Sequence, residues 1–282
     1  MTGTPAPDLG ALTAALARIS STVPVSASLF DYRGRRSWEF DGDRWFHAAS
    51  TIKIAVLAAL YPTLSARGLS ARHRLPIRNQ FISVADGTAF SVPAARDTDA
   101  AIYAAIDQTM SISELAHRMI AVSSNLATNL LVDFIGAEPA QRLLAEAGIT
   151  GVQLVRGVED ERAFDTGISN RVTANGLVAL LRAILEARFG SEEDTQAMVA
   201  TLCAQTFTRG IPAGLPAAER ASARIAHKTG EISMATHDAG IVFLEGRAPY
   251  VVAVLTGASG SPEERYAPIA RISELVFEVM RG

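Results

Sequence analysis

The residues that could do chemistry in this sequence begin with Ser50-Thr51-Ile52-Lys53. Ser50 stands where a polar loop changes into an apolar run, and that run predicts a buried helix. Residues three positions apart lie on one helix face, so we expect the Ser50 hydroxyl and the Lys53 amine to meet. Burial lowers the pKa of an amine, so a neutral Lys53 could accept the serine proton and make Ser50 a nucleophile. A simple helix cap is the alternative for this segment alone.

Ser123-Ser124-Asn125 is the second such segment, at a predicted junction between two helices. Its hydroxyl and amide groups could pass a proton to a leaving group and hold a substrate carbonyl. A capping serine in a turn between helices would look the same, so this segment alone does not indicate catalysis.

Lys228-Thr229-Gly230 is the third segment, at the end of a predicted strand. A cation and a hydroxyl there could bind a carboxylate, and a glycine would let a substrate approach the backbone closely. The backbone N–H of the next residue, Glu231, could pair with that of Ser50 to form an oxyanion hole. The alternative is an ordinary strand end that carries a surface lysine.

The sequence contains only two lysines, and both lie in the segments described above. Of its 26 basic side chains, Lys53 and Lys228 are lysines and the other 24 are arginines. Arginine stays protonated in proteins, whereas the pKa of lysine falls readily on burial. The two amines of adjustable charge therefore both fall inside candidate catalytic segments.

Apolar periodicity predicts the elements that must position these segments. Residues 8–20 predict an amphipathic helix capped by Asp8, and 25–32 with 37–40 predict a hairpin. Further helices are predicted at 50–64, 111–122, 125–136, 138–148, 173–190, 191–205 and 262–280. Further strands are predicted at 223–230, 238–245 and 250–258. Residues 75–110 predict a long surface excursion, and 149–172 predict a long loop.

The hairpin and the three late strands can form one antiparallel five-stranded sheet, flanked by the two terminal helices. The predicted fold class is therefore α/β of the α+β kind, with an inserted all-helical domain. The predicted domains are a discontinuous sheet domain, 1–49 plus 216–282, and a helical domain, 50–215, that carries the nucleophile helix.

Composition and charge exclude several classes of function. The 282 residues are 49% apolar and 20% charged with a net charge of −3, and no charge block indicates a nucleic-acid or membrane partner. The single cysteine, Cys203, excludes an intrachain disulfide and is predicted to be a small core residue. The N-terminus lacks a signal-peptide pattern, which predicts a cytoplasmic protein, or an exported one if a leader has been removed.

In this order, the three segments resemble the Ser-x-x-Lys, Ser-Asp-Asn and Lys-Thr-Gly motifs of class A β-lactamases and penicillin-binding proteins. The resemblance extends to SSNLATNLL, which includes Asn129, and to GIPAGLP before the strand into HKTG. It implies a β-lactamase-like fold and a serine hydrolase that acts on a small molecule, a β-lactam or a related amide or ester. We expect no cofactor and no metal, and a monomer with a dimer as the alternative.

The resemblance places residues 149–172 where class A enzymes carry a loop whose glutamate activates the deacylating water. Glu159 lies 36 residues after Ser123, about where that glutamate falls, and Glu161 is the second choice. Both stand in a charged run that would also fit a solvated surface. The asparagine that helps to hold the water in the family corresponds to Ala163, which implies slow deacylation or a substrate other than a lactam.

Other departures from the family pattern concern the surroundings of the site. The second motif has Ser124 where the family has aspartate, and the interval between the first two motifs is longer than typical, with its excess in 80–110. The strand after Gly230 lacks the arginine that would bind a substrate carboxylate. His237 could replace that arginine, although an ordinary histidine of the sheet fits equally well.

The resemblance also implies the roles of the residues. Lys53, helped by Glu159 through a water, takes the Ser50 proton, Ser123 relays a proton to the leaving group, and Lys228 tunes that relay. The candidate substrate-binding residues are Asn125, Thr229, Gly230, Glu231 and His237. An esterase, amidase or D-Ala peptidase on the same scaffold stays open, as does a sensor or acyl trap without turnover, which Ala163 favours.

Overall fold

A computed structural model of the chain describes residues 9–281, so the predicted cap Asp8 lies outside the described residues. The strands of the main sheet are β1 (Val25–Asp31), β2 (Arg36–Phe40), β3 (Arg224–Ile232), β4 (Ala235–Phe243) and β5 (Tyr250–Thr256). Their order across the sheet is β3-β4-β5-β1-β2, and every neighbouring pair is antiparallel. The predicted five-stranded sheet of an α+β fold is confirmed.

Helices occupy the ends and the middle of the described chain. The longer ones are α1 (Leu9–Ser20), α2 (Lys53–Ala66), α3 (Ile112–Ala121), α4 (Asn125–Ile135), α5 (Ala137–Glu146), α6 (Ala174–Leu185), α7 (Glu192–Cys203) and α8 (Pro262–Arg281). Shorter α-helical segments are Ala100–Tyr103, Glu161–Asp165 and Ala217–Ser222, and 3-10 turns are Ala49–Ile52, Ala94–Arg96 and Ile211–Gly214.

Two apolar cores lie on opposite faces of the sheet. One face packs against α1 and α8, through residues such as Leu16 and Ile269. The other face packs against the central helices, and α2 lies deepest among them. The division into two domains at the predicted boundaries stays a prediction.

Helix α2 is buried almost all round, because its sequence has no polar face between Ile54 and Leu60. The stretch Ala49–Ala66 is long and apolar enough to cross a membrane by composition, but 72% of it is buried inside the molecule. It is the core helix of this fold, and it begins at Lys53, so Ser50 lies in the 3-10 turn before it.

The structure corrects one predicted boundary and adds detail to one predicted segment. Helix α6 ends at Leu185 and not at Gly190, because Ala187 adopts the left-handed conformation (φ 56°) that usually ends a helix at glycine. The predicted surface excursion at 75–110 has secondary structure of its own. It contains short strands, Arg74–Pro76, Phe81–Ile82, Ala89–Phe90 and Thr109–Ser111, and it buries side chains such as Ile102.

The loop at 149–172 forms β-strand pairs with the chain that precedes the nucleophile turn. Its two short strands, Val152–Gln153 and Arg171–Val172, pair with each other, and Arg171–Val172 also pairs with Phe46–His47. The chain just before Ser50 is therefore held against the loop that carries the candidate general base.

Candidate active site

A cavity of about 940 Å³ opens between the helical side and the edge of strand β3. Its lining includes many of the residues singled out in the sequence, Ser50, Ser123, Asn125, Glu159, Glu161, Thr229 and Glu231. Lys53, Lys228, Gly230 and His237 are not among the residues that line it. The site thus has an exposed layer of polar groups and a second layer of buried ones.

The amine of Lys53 lies beneath the cavity floor and is fully buried. It donates hydrogen bonds to the backbone oxygen of Ser123 (2.6 Å), to Ser123 Oγ (3.1 Å) and to Asn125 Oδ1 (2.8 Å). Burial lowers the pKa of Lys53 to about 7, and the nearby carboxylates of Asp97 and Glu159 oppose that shift. A fraction of this amine is therefore neutral near pH 7 and able to take a proton.

The nucleophile turn is held by an uncommon backbone conformation. Ala49, immediately before Ser50, has a φ of 46°, and its N–H donates to His47 Nδ1 at 3.0 Å. Ser123 (φ 62°) and Glu159 (φ 58°) are two more non-glycine residues in the left-handed region. All three left-handed residues line the same cavity, as expected where surrounding contacts impose strained backbone at a functional site.

The second motif connects the buried amine to the loop at 149–172. Asn125 Oδ1 accepts from Lys53, and Asn125 Nδ2 donates to Glu159 Oε1 at 3.1 Å. Ser124 caps helix α4, because its Oγ accepts from the backbone N–H of Ala127. The segment therefore combines both predicted roles. Ser124 caps a helix, while its neighbours Ser123 and Asn125 line the cavity.

The third motif lies on β3, beside the backbone of the nucleophile turn. A Cβ added to Gly230 would lie 3.1 Å from the backbone nitrogen of Ser50, so only glycine allows this close approach without a shift. Glu231 then follows at the cavity edge. The strand at Gly230 therefore passes close to the Ser50 N–H, and the N–H of the next residue, Glu231, stays the candidate second donor of an oxyanion hole.

Lys228 is fully buried and donates a hydrogen bond to the backbone oxygen of Thr229, at 2.9 Å. Burial lowers its pKa well below the usual value, the charge of Lys53 lowers it further, and Asp238 opposes the shift. Lys53 thus acts electrostatically on Lys228. Lys228 does not line the cavity, so in this arrangement it would act on a substrate through the strand residues in front of it.

Geometry distinguishes the two candidate glutamates. Glu159 is 23% exposed in its side chain and accepts a hydrogen bond from Asn125, whereas Glu161 is 66% exposed. Arg96 forms ion pairs with both carboxylates. Glu159 is therefore the acid linked to the Lys53 cluster, and Ala163 is fully buried and does not line the cavity.

The assignment of His237 to a substrate carboxylate is wrong. Its ring is fully buried, Nε2 hydrogen-bonds to the backbone oxygen of His47 (2.9 Å), and Nδ1 accepts from the N–H of Thr256 (3.3 Å). Burial lowers the pKa of His237 to about 4, so the ring is neutral at pH 7. His237 instead supports the chain before the nucleophile turn.

Sequence reasoning missed several residues of the site. Arg96 and Asp97 come from the long excursion, and His47 precedes the nucleophile turn. On the strand side, Arg265 from helix α8 forms an ion pair with Glu231 at 2.7 Å. No motif marks these residues, although the unusual length of 80–110 was a signal that the excursion reshapes the site.

Comparison with known proteins gives a family match over nearly the whole chain. The model of a family described as "Beta-lactamase enzyme family" matches residues 11–280. A β-lactamase of Bacteroides uniformis is 28% identical over 191 residues, which is 62% of this chain and 62% of that protein. The alignment therefore spans less than two thirds of that relative's length.

Solved structures agree over a larger share of the chain. A β-lactamase from Sphaerobacter thermophilus superposes with a TM-score of 0.80 at 25% identity, over 97% of this chain and 98% of that one. A variant of the class A β-lactamase of the last common ancestor of Gram-negative bacteria has a TM-score of 0.81 at 25% identity, over 96% and 98%. The similarity therefore includes both the sheet and the helical region.

Proposed function

The chain belongs to the β-lactamase enzyme family, and we propose that it is a serine hydrolase that opens the amide bond of β-lactams through an acyl-enzyme on Ser50. One observation carries this proposal. A buried amine whose pKa is lowered to about 7 hydrogen-bonds to Ser123 Oγ, and Ser50 and Ser123 line one cavity. A nucleophile, a base and a relay to the leaving group are thereby present together.

Acylation begins when neutral Lys53 takes the proton of Ser50. The serine oxygen attacks the lactam carbonyl, and the N–H groups of Ser50 and Glu231 stabilise the oxyanion. The carbon–nitrogen bond then breaks, and the proton passes from Lys53 through Ser123 Oγ to the leaving nitrogen. The contact of 3.1 Å between Lys53 Nζ and Ser123 Oγ supports this route.

Deacylation needs a base that faces the ester from the loop at 149–172. Glu159 takes a proton from a water, and the hydroxide attacks the acyl carbonyl. The Ser50 oxygen leaves and regains a proton, which Glu159 gives up through the neutral amine of Lys53, so both groups return to their starting states. The hydrogen bond from Asn125 orients the Glu159 carboxylate toward the cavity. Ala163 is buried and carries no polar atom that could hold the water, so we expect deacylation to be the slower step.

Intact-protein mass spectrometry after a brief exposure to benzylpenicillin tests the proposal. We expect one penicilloyl adduct that disappears with time, and no adduct on the Ser50→Ala variant. An adduct that persists would show an acyl trap in place of a hydrolase. Absence of any adduct on the unaltered protein, together with no turnover of nitrocefin, would exclude the proposed function.

A comparison of substrates separates the β-lactamase from an esterase on the same scaffold. We expect nitrocefin to be hydrolysed with a higher kcat/KM than a p-nitrophenyl ester, because the cavity would bind the lactam through its acyl side chain as well as its carbonyl. A reversed preference would assign the same residues to ester hydrolysis.

A further inference from the structure

Three consecutive residues of the long excursion hold the second motif in place. The backbone oxygen of Arg96 accepts from Asn125 Nδ2 at 2.9 Å, and Thr98 Oγ1 donates to the backbone oxygen of Val122. Between them, the Asp97 carboxylate contacts the start of helix α4. The segment 96–98 therefore contacts the chain on both sides of Ser123.

Both oxygens of the Asp97 carboxylate accept hydrogen bonds in this segment. Its Oδ2 accepts from the N–H of Leu126 (2.8 Å), from Ser124 Oγ (3.3 Å) and from the hydroxyl of Tyr103 (3.2 Å). Its Oδ1 accepts from the N–H of Asp99 at 3.0 Å. Four donors on one carboxylate fix both the excursion and the first turn of α4.

A carboxylate at this position has a clear physical use. The first N–H groups of a helix have no partner within the helix, and the helix dipole favours a negative charge there. Ser124 satisfies the N–H of Ala127, and Asp97 satisfies that of Leu126. Because Asn125 lies between Ser124 and Leu126, which these contacts hold, its side chain is kept where its oxygen accepts from Lys53.

We propose that Asp97 is a positioning residue that supplies, from the excursion, the carboxylate missing at Ser124 in the second motif. The inference rests on the proposed function, because the groups it positions are Lys53, Ser123 and Asn125. The excursion thus completes the proton-transfer machinery of this chain. Its extra length is part of the site and not merely a cover over the cavity.

The charge of Asp97 also acts on the amine. Burial lowers the pKa of Lys53, and the carboxylates of Asp97 and Glu159 raise it again. The amine of Lys228 is the other titratable group near Lys53, and the charge of Lys53 together with burial lowers the pKa of Lys228. Removal of the Asp97 charge should therefore lower the pKa of Lys53, so that the amine loses its proton at a lower pH.

The first test removes the carboxylate from position 97 and then places one at position 124. Asp97→Ala should slow acylation of Ser50 by benzylpenicillin about 10- to 100-fold, because Asn125 and Ser123 lose their alignment. Adding Ser124→Asp to that variant should restore the rate to within about threefold, since the new carboxylate caps the same helix. Asp107→Asn, an exposed change in the same excursion, is the control and should leave the rate unchanged.

Two results of that experiment would overturn the inference. Asp97→Ala could acylate at the rate of the unaltered protein, or the double variant could be as slow as the single one. In the second case the loss would come from the excursion itself and not from the missing carboxylate. If the unaltered protein forms no adduct at all, the proposed function fails, and the following measurement still tests Asp97.

Because the chain has only two lysines, NMR can measure the effect of the Asp97 charge on the pKa of Lys53 without any substrate. Protein labelled with ¹³C at lysine Cε should show only two signals, and Lys228→Met assigns them. In Asp97→Asn, which keeps an oxygen acceptor for Leu126, the Lys53 signal should titrate at a lower pH than in the unaltered protein. An unchanged midpoint would overturn the role of Asp97, whether or not the enzyme acts on β-lactams.

Discussion

The cavity lies between two walls, one formed by the helical region and one formed by strand β3 with helix α8, and the two differ in their chemistry. On the helical wall, Lys53, Ser123, Asn125 and Glu159 form one chain of hydrogen bonds between 2.6 and 3.1 Å. On the strand wall, the Arg265–Glu231 ion pair lies at the cavity edge, and Lys228 is sealed behind it. The helical wall is organised for proton transfer, and the strand wall presents backbone and a charge pair to the substrate.

The difference matters because proton transfer depends on fixed geometry, whereas binding of a charged substrate depends on the net charge that the wall presents. A change on the helical wall should therefore reduce the rate of a chemical step. A change on the strand wall should mainly alter the affinity for particular substrates.

The two lysines provide the largest contrast. Lys53→Ala should slow acylation about 10⁴-fold, because it removes the base and the partner of Ser123. Lys228→Ala should slow it about 10- to 100-fold, because Lys228 lies behind the cavity lining and supports the backbone of Thr229 without taking part in proton transfer. Stopped-flow measurement of nitrocefin acylation compares them, with thermal melting to verify that both variants fold. A larger loss for Lys228→Ala would contradict the division between the walls.

The two glutamates give the next largest effect. Glu159→Gln should slow deacylation about 10²- to 10³-fold, because the amide cannot take a proton from water, so the adduct on Ser50 should accumulate. Glu161→Gln is the matched control and should change deacylation by less than about threefold, since its exposed carboxylate does not contact Asn125. Mass spectrometry during decay of the adduct measures both rates. Normal turnover by Glu159→Gln would show that another group is the base.

The pH dependence of acylation tests the state of the buried amine. Burial lowers the pKa of Lys53 to about 7, so the neutral base predominates above that pH and is lost below it. The rate of acylation should therefore be half-maximal near pH 7 and should fall about tenfold for each further unit of acid. A rate that stays constant from pH 8 to pH 5.5 would contradict Lys53 as the base.

A charge change on the strand wall should give the smallest effect. Glu231→Gln leaves Arg265 without its carboxylate partner at the cavity edge. It should lower KM for a substrate that bears a carboxylate by about three- to tenfold, and should leave kcat nearly unchanged. A neutral p-nitrophenyl ester is the control, with an unchanged KM. An equal fall in KM for both substrates would mean that the pair acts by shape and not by charge.

Much of the site could be predicted from the residues alone. The pair Ser50 and Lys53 was predictable because neighbours in one helical turn must lie close together, whatever the rest of the fold does. The choice of Glu159 over Glu161 was a hypothesis from spacing, and the hydrogen bond from Asn125 now favours it physically. The start of the predicted helix at Ser50 was wrong, since Ser50 lies in a 3-10 turn and the α-helix begins at Lys53.

His237 shows why other parts could not be predicted. A histidine on a strand near the third motif could face either the cavity or the core, and the alternation of the sheet alone does not decide between them. The packing of the chain around His47 against the sheet buried the ring and used both of its nitrogens. On the strand side, the cationic residue at the cavity came instead from helix α8, as Arg265.

The sequence by itself determined the identity of the reacting groups, because side-chain chemistry and short-range spacing along a helix or strand are properties of the chain. Only the tertiary structure decided which distant groups support them, such as Asp97 beneath the second motif. Contacts between residues far apart in the chain depend on how the excursion, the loop at 149–172 and helix α8 pack around the cavity. That packing is a property of the whole fold, and no local pattern encodes it.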